Sequence, residues 1–165
     1  MHKGFFFNNE KNNYIKEYLE EKLLEYGKMN YAYLVINKSN LDEIMVISDL
    51  NDYFKNTYLR KKFQNVDPVI INALNRFSLL AWDEKLVVNS QWNNSKCCQK
   101  SWGYILKSVT PYNIISGQTF VLHDNNGNLA LLSLYINKFL MADIYDNVKK
   151  NKDQLQGLLI NIHEM

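Results

Sequence analysis

The sequence predicts an α/β fold, an α/β/α sandwich in which helices flank a central antiparallel sheet of about five strands. Apolar residues recur at helical spacing near the start of the chain and again at its end. Four runs rich in β-branched and aromatic residues lie between these segments, with turn-forming residues between the members of each pair. Helices before and after an antiparallel sheet favour a layered sandwich. No repeat or linker divides the chain, so we expect residues 1–165 to form a single domain.

The first elements are an amphipathic helix and a pair of strands. The helix is predicted from Glu10 to Tyr26, and Gly27 stands where a C-terminal cap belongs. Strands are predicted over residues 31–36 and 43–48. The polar residues 37–40 between them predict a hairpin connection.

Helices are predicted next, over residues 52–62 and again after an Asp-Pro pair. Pro68 pre-sets φ for a first helical turn, which puts Asp67 at the N-cap of a helix whose apolar pattern runs to Phe77. One interpretation is a capped core helix, since aspartate is a common cap. The other is that Asp67 and Trp82, fifteen positions later, each supply a polar group that faces one apolar cavity. The residues alone leave both open.

The last elements are a second strand pair and a long helix. Strands are predicted over residues 119–123 and 129–136, and Asn126-Gly127 between them is a strong hairpin signal. A helix is predicted from Ala142 to His163, although a polar run interrupts its apolar pattern.

Composition argues against several classes of function. A formal net charge of +2 gives no electrostatic case for direct nucleic-acid binding. No run of 18 apolar residues occurs, so we expect a soluble, cytoplasmic protein without a membrane partner. An aromatic content of 13% fits a cavity into which polar ring substituents point, although half-buried strand tyrosines would account for many of these residues as well.

The chain shows no motif of an enzyme, a metal site or a cofactor site. Its histidines are scattered, and no nucleophile–base spacing or phosphate-binding glycine loop is present. Cys97 and Cys98 are adjacent, which is a poor arrangement for a disulfide or a metal, so we expect reduced thiols. A thiol-dependent hydrolase with either cysteine as nucleophile and His123 as base is the least implausible enzyme. We expect no enzyme, no metal and no cofactor.

The order of several residues resembles a known family. Tyr58, Asp67-Pro68-Val69 and Trp82-Asp83 occur at the spacing found in the acyl-homoserine-lactone-binding domain of LuxR-type quorum-sensing regulators, and the resemblance runs from about residue 8 to 163. It is closest to the enterobacterial branch, whose regulators bind DNA when empty and release it when the lactone arrives. The resemblance implies a homodimer that reaches DNA only through a C-terminal helix-turn-helix domain. This chain shows no basic recognition helix, so we expect that domain to be absent from it.

The resemblance also implies a ligand site. Asp67 would accept the amide N–H of the lactone, Trp82 would pack on the lactone ring, and Tyr58 would donate to the amide carbonyl. Ser133 would serve the same carbonyl or a 3-oxo group. The expected apolar wall is Tyr33, Val35, Val46, Val69, Ile70, Leu131 and Tyr135.

Two positions depart from the family pattern. Phe54 stands where a tryptophan usually donates to the lactone carbonyl, and Leu50 stands where a pocket tyrosine is usual. An unpaired buried carbonyl would cost roughly 1 to 3 kcal/mol. The departures keep open a second function, a ligand-independent dimerisation or interaction module with a degenerate pocket.

Overall fold

The computed structural model describes residues 9–27, 29–83, 105, 114–137 and 141–165. The described helices are α1 (Asn9–Leu23), α2 (Asp52–Arg60), α3 (Pro68–Ala73), α4 (Met141–Lys150) and α5 (Lys152–Glu164). The described strands are β1 (Asn30–Asn37), β2 (Asn40–Ser48), β3 (Leu80–Asp83), β4 (Ile114–His123) and β5 (Asn128–Asn137). No helix in these ranges is both long enough and apolar enough to cross a membrane. Cys97 and Cys98 lie outside the described residues.

The five strands form one antiparallel sheet in the order β2-β1-β5-β4-β3. Strand β5 is the last in sequence, but it lies in the middle of the sheet between β1 and β4. Both predicted hairpins are confirmed, β1 with β2 and β4 with β5. Gly127 takes a positive φ of 81° in the second turn, a conformation that favours glycine.

Helices cover both faces of the sheet, so the predicted α/β sandwich is confirmed. On one face, side chains of α1, α4 and α5 pack on Tyr33, Val35 and Leu132 of the central strands. On the other face, α2 and α3 pack on Leu34 and Leu131. Neighbouring residues of a strand point to opposite faces, which is why consecutive positions of β1 belong to different cores.

The limits of two predicted helices need correction, and one strand was not predicted. The helix predicted over residues 142–163 is two helices, α4 and α5, because Asn151 leaves helical geometry with φ −107° and ψ 24°. Helix α3 ends at Ala73 instead of Phe77, and the Asn72 side chain bonds the Pro68 carbonyl at 2.8 Å, a local bond that competes with the backbone ladder. Trp82 lies on a short strand, β3, that adds to the four predicted ones.

Candidate functional site

A cavity of about 70 Å³ lies between the sheet and the α2–α3 layer. Its floor has room because small residues meet at the centre of the sheet, where Ala32 pairs with Ser48 on one side and with Ser133 on the other. The described residues that line it are Ala32, Leu34, Val46, Ser48, Phe54, Lys55, Tyr58, Asp67, Val69, Ile70, Trp82, Ile105, Leu131, Ser133 and Tyr135. Most of these are apolar or aromatic, as in small-molecule sites.

Asp67 is both a helix cap and a polar group of the cavity. Its Oδ1 accepts the Val69 N–H at 2.9 Å, the bond expected of an N-cap, with Pro68 in the first helical turn. Its Oδ2 accepts the Tyr58 hydroxyl at 2.6 Å. The two interpretations of the Asp-Pro pair are therefore compatible, because each uses a different carboxylate oxygen.

Burial determines the protonation of this pair. Burial raises the pKa of the Asp67 carboxyl above its usual range. The hydrogen bonds from Tyr58 and from the Val69 and Ile70 backbone lower this pKa, but burial has the larger effect. Burial and the neighbouring Asp67 charge raise the pKa of the Tyr58 hydroxyl well above its ordinary value. Tyr58 therefore keeps its proton and is the donor of the pair.

A second polar chain crosses three strands beneath the cavity. The Trp82 indole N–H donates to Thr119 Oγ1 at 2.9 Å, and Thr119 Oγ1 shares a 2.7 Å hydrogen bond with Ser133 Oγ. Thr119 is fully buried and lies opposite Ser133 in the register of β4 and β5. Thr119 was not among the predicted site residues, because its role is visible only once that register is known.

A row of three residues forms the end of the cavity near β3. Trp82, Gly117 and Tyr135 lie opposite one another on β3, β4 and β5. A Cβ at position 117 would fall inside contact distance of the Trp82 indole, so only glycine lets that ring lie against the sheet. The indole and the Tyr135 ring then meet edge to face, with 5.9 Å between centroids and 74° between planes.

The structure brings most of the predicted site residues to this cavity. Those it places there are Asp67, Trp82, Tyr58, Phe54, Ser133, Val46, Val69, Ile70, Leu131 and Tyr135. Five further residues line the cavity and were not predicted as site residues: Ala32, Leu34, Ser48, Lys55 and Ile105. Lys55 adjoins Phe54 on α2 and gives the lining a cation.

Three predicted site residues lie elsewhere. Tyr33 and Val35 do not belong to the wall, because they point to the opposite face of β1 and are buried against α1 and α5. The Tyr33 hydroxyl is 3.0 Å from His163 Nδ1 on that face. Leu50 lies just outside the cavity lining and packs with Ile114 against Phe54 and Tyr135.

Nothing in the described ranges suggests a metal site or a reactive base. These ranges contain no group of three or more His, Cys, Asp or Glu side chains that could hold a metal ion. The His123 Nε2 atom is 2.8 Å from the Arg76 carbonyl, and its Nδ1 is 3.2 Å from Lys38 Nζ. Both ring nitrogens therefore lie against groups at the far end of β4, away from the cavity.

Comparison with known proteins gives one consistent result. The autoinducer binding domain family matches residues 12–165. The chain is 39% identical over 96% of its length to the transcriptional activator protein ExpR of Pectobacterium parmentieri, and 37% identical over 93% to ExpR of Dickeya dadantii. It spans 62% and 58% of the lengths of these two relatives.

A solved structure shares the fold. The N-acylhomoserine lactone dependent LuxR family transcription factor CepR2 from Burkholderia cenocepacia superposes with a TM-score of 0.60. The match covers 86% of this chain and 75% of that one at 14% identity. At that identity the likeness shows the fold alone.

Proposed function

We propose that this chain binds an N-acyl-homoserine lactone of short to medium chain, because it belongs to the autoinducer-binding domain family of LuxR-type transcriptional regulators. Membership of that family makes it a ligand-sensing domain instead of an enzyme. The observation that carries the proposal is the buried Asp67 carboxylate, paired with the Tyr58 hydroxyl in a largely apolar cavity. A secondary amide has a donor and an acceptor that match this pair, and an acyl chain matches the apolar lining.

The ligand amide would exchange partners with the Tyr58–Asp67 pair. In the structure Tyr58 donates to Asp67. When the amide enters, its N–H donates to Asp67, and the Tyr58 hydroxyl turns to its carbonyl. No buried polar group loses a partner in this exchange, so little desolvation cost opposes it. Trp82 then packs on the lactone ring, and Ser133, which keeps its bond to Thr119, faces the acyl amide or a 3-oxo group.

The cavity must widen to take such a ligand. The described residues enclose about 70 Å³, room for about two water molecules, whereas small-molecule sites commonly measure roughly 300 Å³ or more. The sheet is held by paired strands, while α2 and α3 are short helices on its face. We therefore expect the α2–α3 layer to move outward on binding.

Regulation would act through the region that the relatives possess beyond the part matched by this chain. The chain spans about three-fifths of the length of the curated relatives it matches. In the whole protein, this domain would form a homodimer and transmit occupancy to a DNA-binding domain. By its resemblance to the enterobacterial branch, the lactone would release DNA instead of promoting binding.

The proposal is tested by thermal unfolding with a panel of L-homoserine lactones, from butanoyl to dodecanoyl. A ligand that binds only the folded state stabilises that state by about 2.7 kcal/mol when the ligand concentration is a hundred times its Kd. For a domain of this size that corresponds to roughly 5 to 10 °C in Tm. Free fatty acids of matching length are the control, since they carry the chain without the amide or the ring. No shift with any lactone at high micromolar concentration would contradict the proposal.

Two observations favour a second candidate, the ligand-independent dimerisation or interaction module. Phe54 cannot donate a hydrogen bond, and the cavity is small. The two candidates differ in what the protein carries when it is purified from lactone-producing cells. A receptor yields an extractable lactone by mass spectrometry, whereas an interaction module yields none and still forms dimers.

A further inference from the structure

The hydroxyl group of Tyr135 is a polar group of the cavity lining that the proposed ligand contacts leave unused. Tyr135 lines the cavity in a half-buried position on the central strand β5. Within the described part of the chain, this hydroxyl makes no hydrogen bond, whereas the Tyr58 hydroxyl donates to Asp67 and Ser133 bonds Thr119. From the sequence, Tyr135 is predicted only as part of the apolar wall.

The position of Tyr135 connects it to the missing lactone donor. Its ring packs edge to face on Trp82, at a centroid distance of 5.9 Å. Tyr135 also packs against Leu50 and Ile114, the two residues against which Phe54 packs. Tyr135 therefore contacts the ring proposed to hold the lactone and shares packing partners with Phe54, the residue at the position of the missing family donor.

We propose that the Tyr135 hydroxyl donates the hydrogen bond to the lactone ring carbonyl, in place of the donor that Phe54 cannot supply. This inference rests on the proposed function and specifies which residue recognises the ring. The amide is held by Asp67 and Tyr58, so the carbonyl of the adjacent ring falls at the Trp82 end of the cavity. Tyr135 lines the cavity at that end, where its ring packs on Trp82.

Electrostatics favour a permanent donor at this position. Burial, followed by the carboxylates of Asp67 and Asp49, raises the pKa of the Tyr135 hydroxyl above its usual range. The group therefore keeps its proton across the physiological range. It carries no charge that would have to be desolvated when a ligand covers it.

The test compares two ligands that differ in the ring carbonyl. They are the homoserine lactone whose acyl chain gives the largest thermal shift in the panel and the cyclopentylamide with the same acyl chain, which keeps the amide but has no ring carbonyl. Affinities are measured by calorimetry on wild type and Tyr135→Phe. Wild type should prefer the lactone by roughly ten-fold, the value of one hydrogen bond to a buried acceptor. Tyr135→Phe should bind the cyclopentylamide as wild type does and should lose that preference.

Two controls make the result specific. Tyr135→Phe removes a hydroxyl without a partner in the described chain, so its Tm without ligand should equal that of wild type. Tyr58→Phe should weaken both ligands by a similar factor, because both carry the amide, and should keep the preference for the lactone.

The outcomes separate the inference from the proposed function. The inference is overturned if Tyr135→Phe retains the ten-fold preference, if it weakens both ligands equally, or if wild type does not discriminate between them. If wild type binds neither ligand and no member of the panel shifts Tm, the proposed function itself fails.

Discussion

Asp67 is a single residue on which stability and recognition both depend. One carboxylate oxygen caps helix α3, and the other accepts a hydrogen bond from the Tyr58 hydroxyl. Asparagine caps a helix about as well as aspartate, and its Oδ1 can keep the Val69 bond. It cannot accept with its second group, however, because that group is an amide donor.

Asp67→Asn should therefore separate capping from recognition. We expect the Tm without lactone to change little, because the cap is kept and the removal of a buried carboxylate offsets the loss of the hydrogen bond from Tyr58. Stabilisation by lactone should disappear, since the amide N–H would face an N–H donor. Thermal unfolding with and without ligand measures both. A large loss of intrinsic stability with binding intact would show that Asp67 serves only as a cap.

The raised pKa of Asp67 predicts a pH dependence of stability. Above about pH 4 the unfolded chain has released most of the Asp67 carboxyl proton. The folded protein retains this proton to a higher pH, because the pKa of Asp67 is raised in the folded state. Stability from this group is therefore present at acid pH and is lost as pH rises through the folded-state pKa. An asparagine side chain does not titrate, so the free energy of unfolding of Asp67→Asn relative to wild type should increase from about pH 4 to pH 7. Urea titrations at several pH values measure it, and a decrease would mean that Asp67 has a lowered pKa.

At the scale of elements, the close packing of the Trp82 side chain across β3, β4 and β5 depends on Gly117. The Trp82 indole occupies the space that a side chain at position 117 would need. Any larger residue would push the indole toward the cavity and away from Thr119, which accepts its N–H.

Two glycine substitutions should have opposite effects. Gly117→Ala should destabilise the protein by about 1 to 3 kcal/mol through overpacking and should weaken lactone binding, because Trp82 must shift. Gly157 lies in α5 with nothing within 4 Å of where a Cβ would be. Gly157→Ala should therefore stabilise by about 0.5 to 1 kcal/mol without changing affinity. Chemical denaturation and ligand titration of the pair give both values, and a fully tolerated Gly117→Ala would refute the packing argument.

Strand β1 shows how far the sequence could predict the site. Its position as a strand followed from its aromatic and β-branched residues. Its side chains are buried on both faces, however, so the run from Tyr31 to Ile36 is hydrophobic throughout and lacks the alternation that would assign a face. Tyr33 and Val35 were consequently assigned to the wrong face. Register pairs such as Thr119 with Ser133 were unpredictable for the same reason, since they depend on contacts between distant strands.

Asp67 and Trp82 were easier to identify because their signals are local or depend on spacing. The Asp-Pro pair predicts a helix start from adjacent residues, and the structure places Asp67 there. Trp82 was found through its spacing in a family pattern and not from its own environment. The sequence predicts Tyr135 as a wall residue, because a lone tyrosine on an apolar strand gives no sign that its hydroxyl lacks a partner among the described residues.

At the scale of the whole molecule, the two faces of the sheet serve different purposes. The face under α1, α4 and α5 is a continuous core. Its polar contacts, from Tyr33 to His163 and from His163 to Asp124 at 2.8 Å, fasten the last helix to the sheet. This face does not depend on the cavity, so we expect the domain to fold without lactone.

Hydrogen exchange distinguishes the two faces. In protein expressed without lactone, amides of β1 and β5 should already be protected, since both strands are paired on both edges. Adding lactone should mainly raise protection in α2 and α3, which contact the cavity. If β1 and β5 exchange freely until lactone is added, the ligand is part of the folding core, and regulation by a shift between two folded states is excluded.

The central place of β5 has a consequence for biosynthesis. The ribosome makes β1 and β2 early, but the strand that must lie beside β1 follows about 90 residues later. At roughly 5 to 20 residues per second, the free edge of β1 waits about 5 to 20 seconds for its partner. A nascent chain has an open sheet edge during that interval, and it lacks the strand that carries Leu131, Ser133 and Tyr135. The complete lactone site therefore cannot form until β5 has been synthesised.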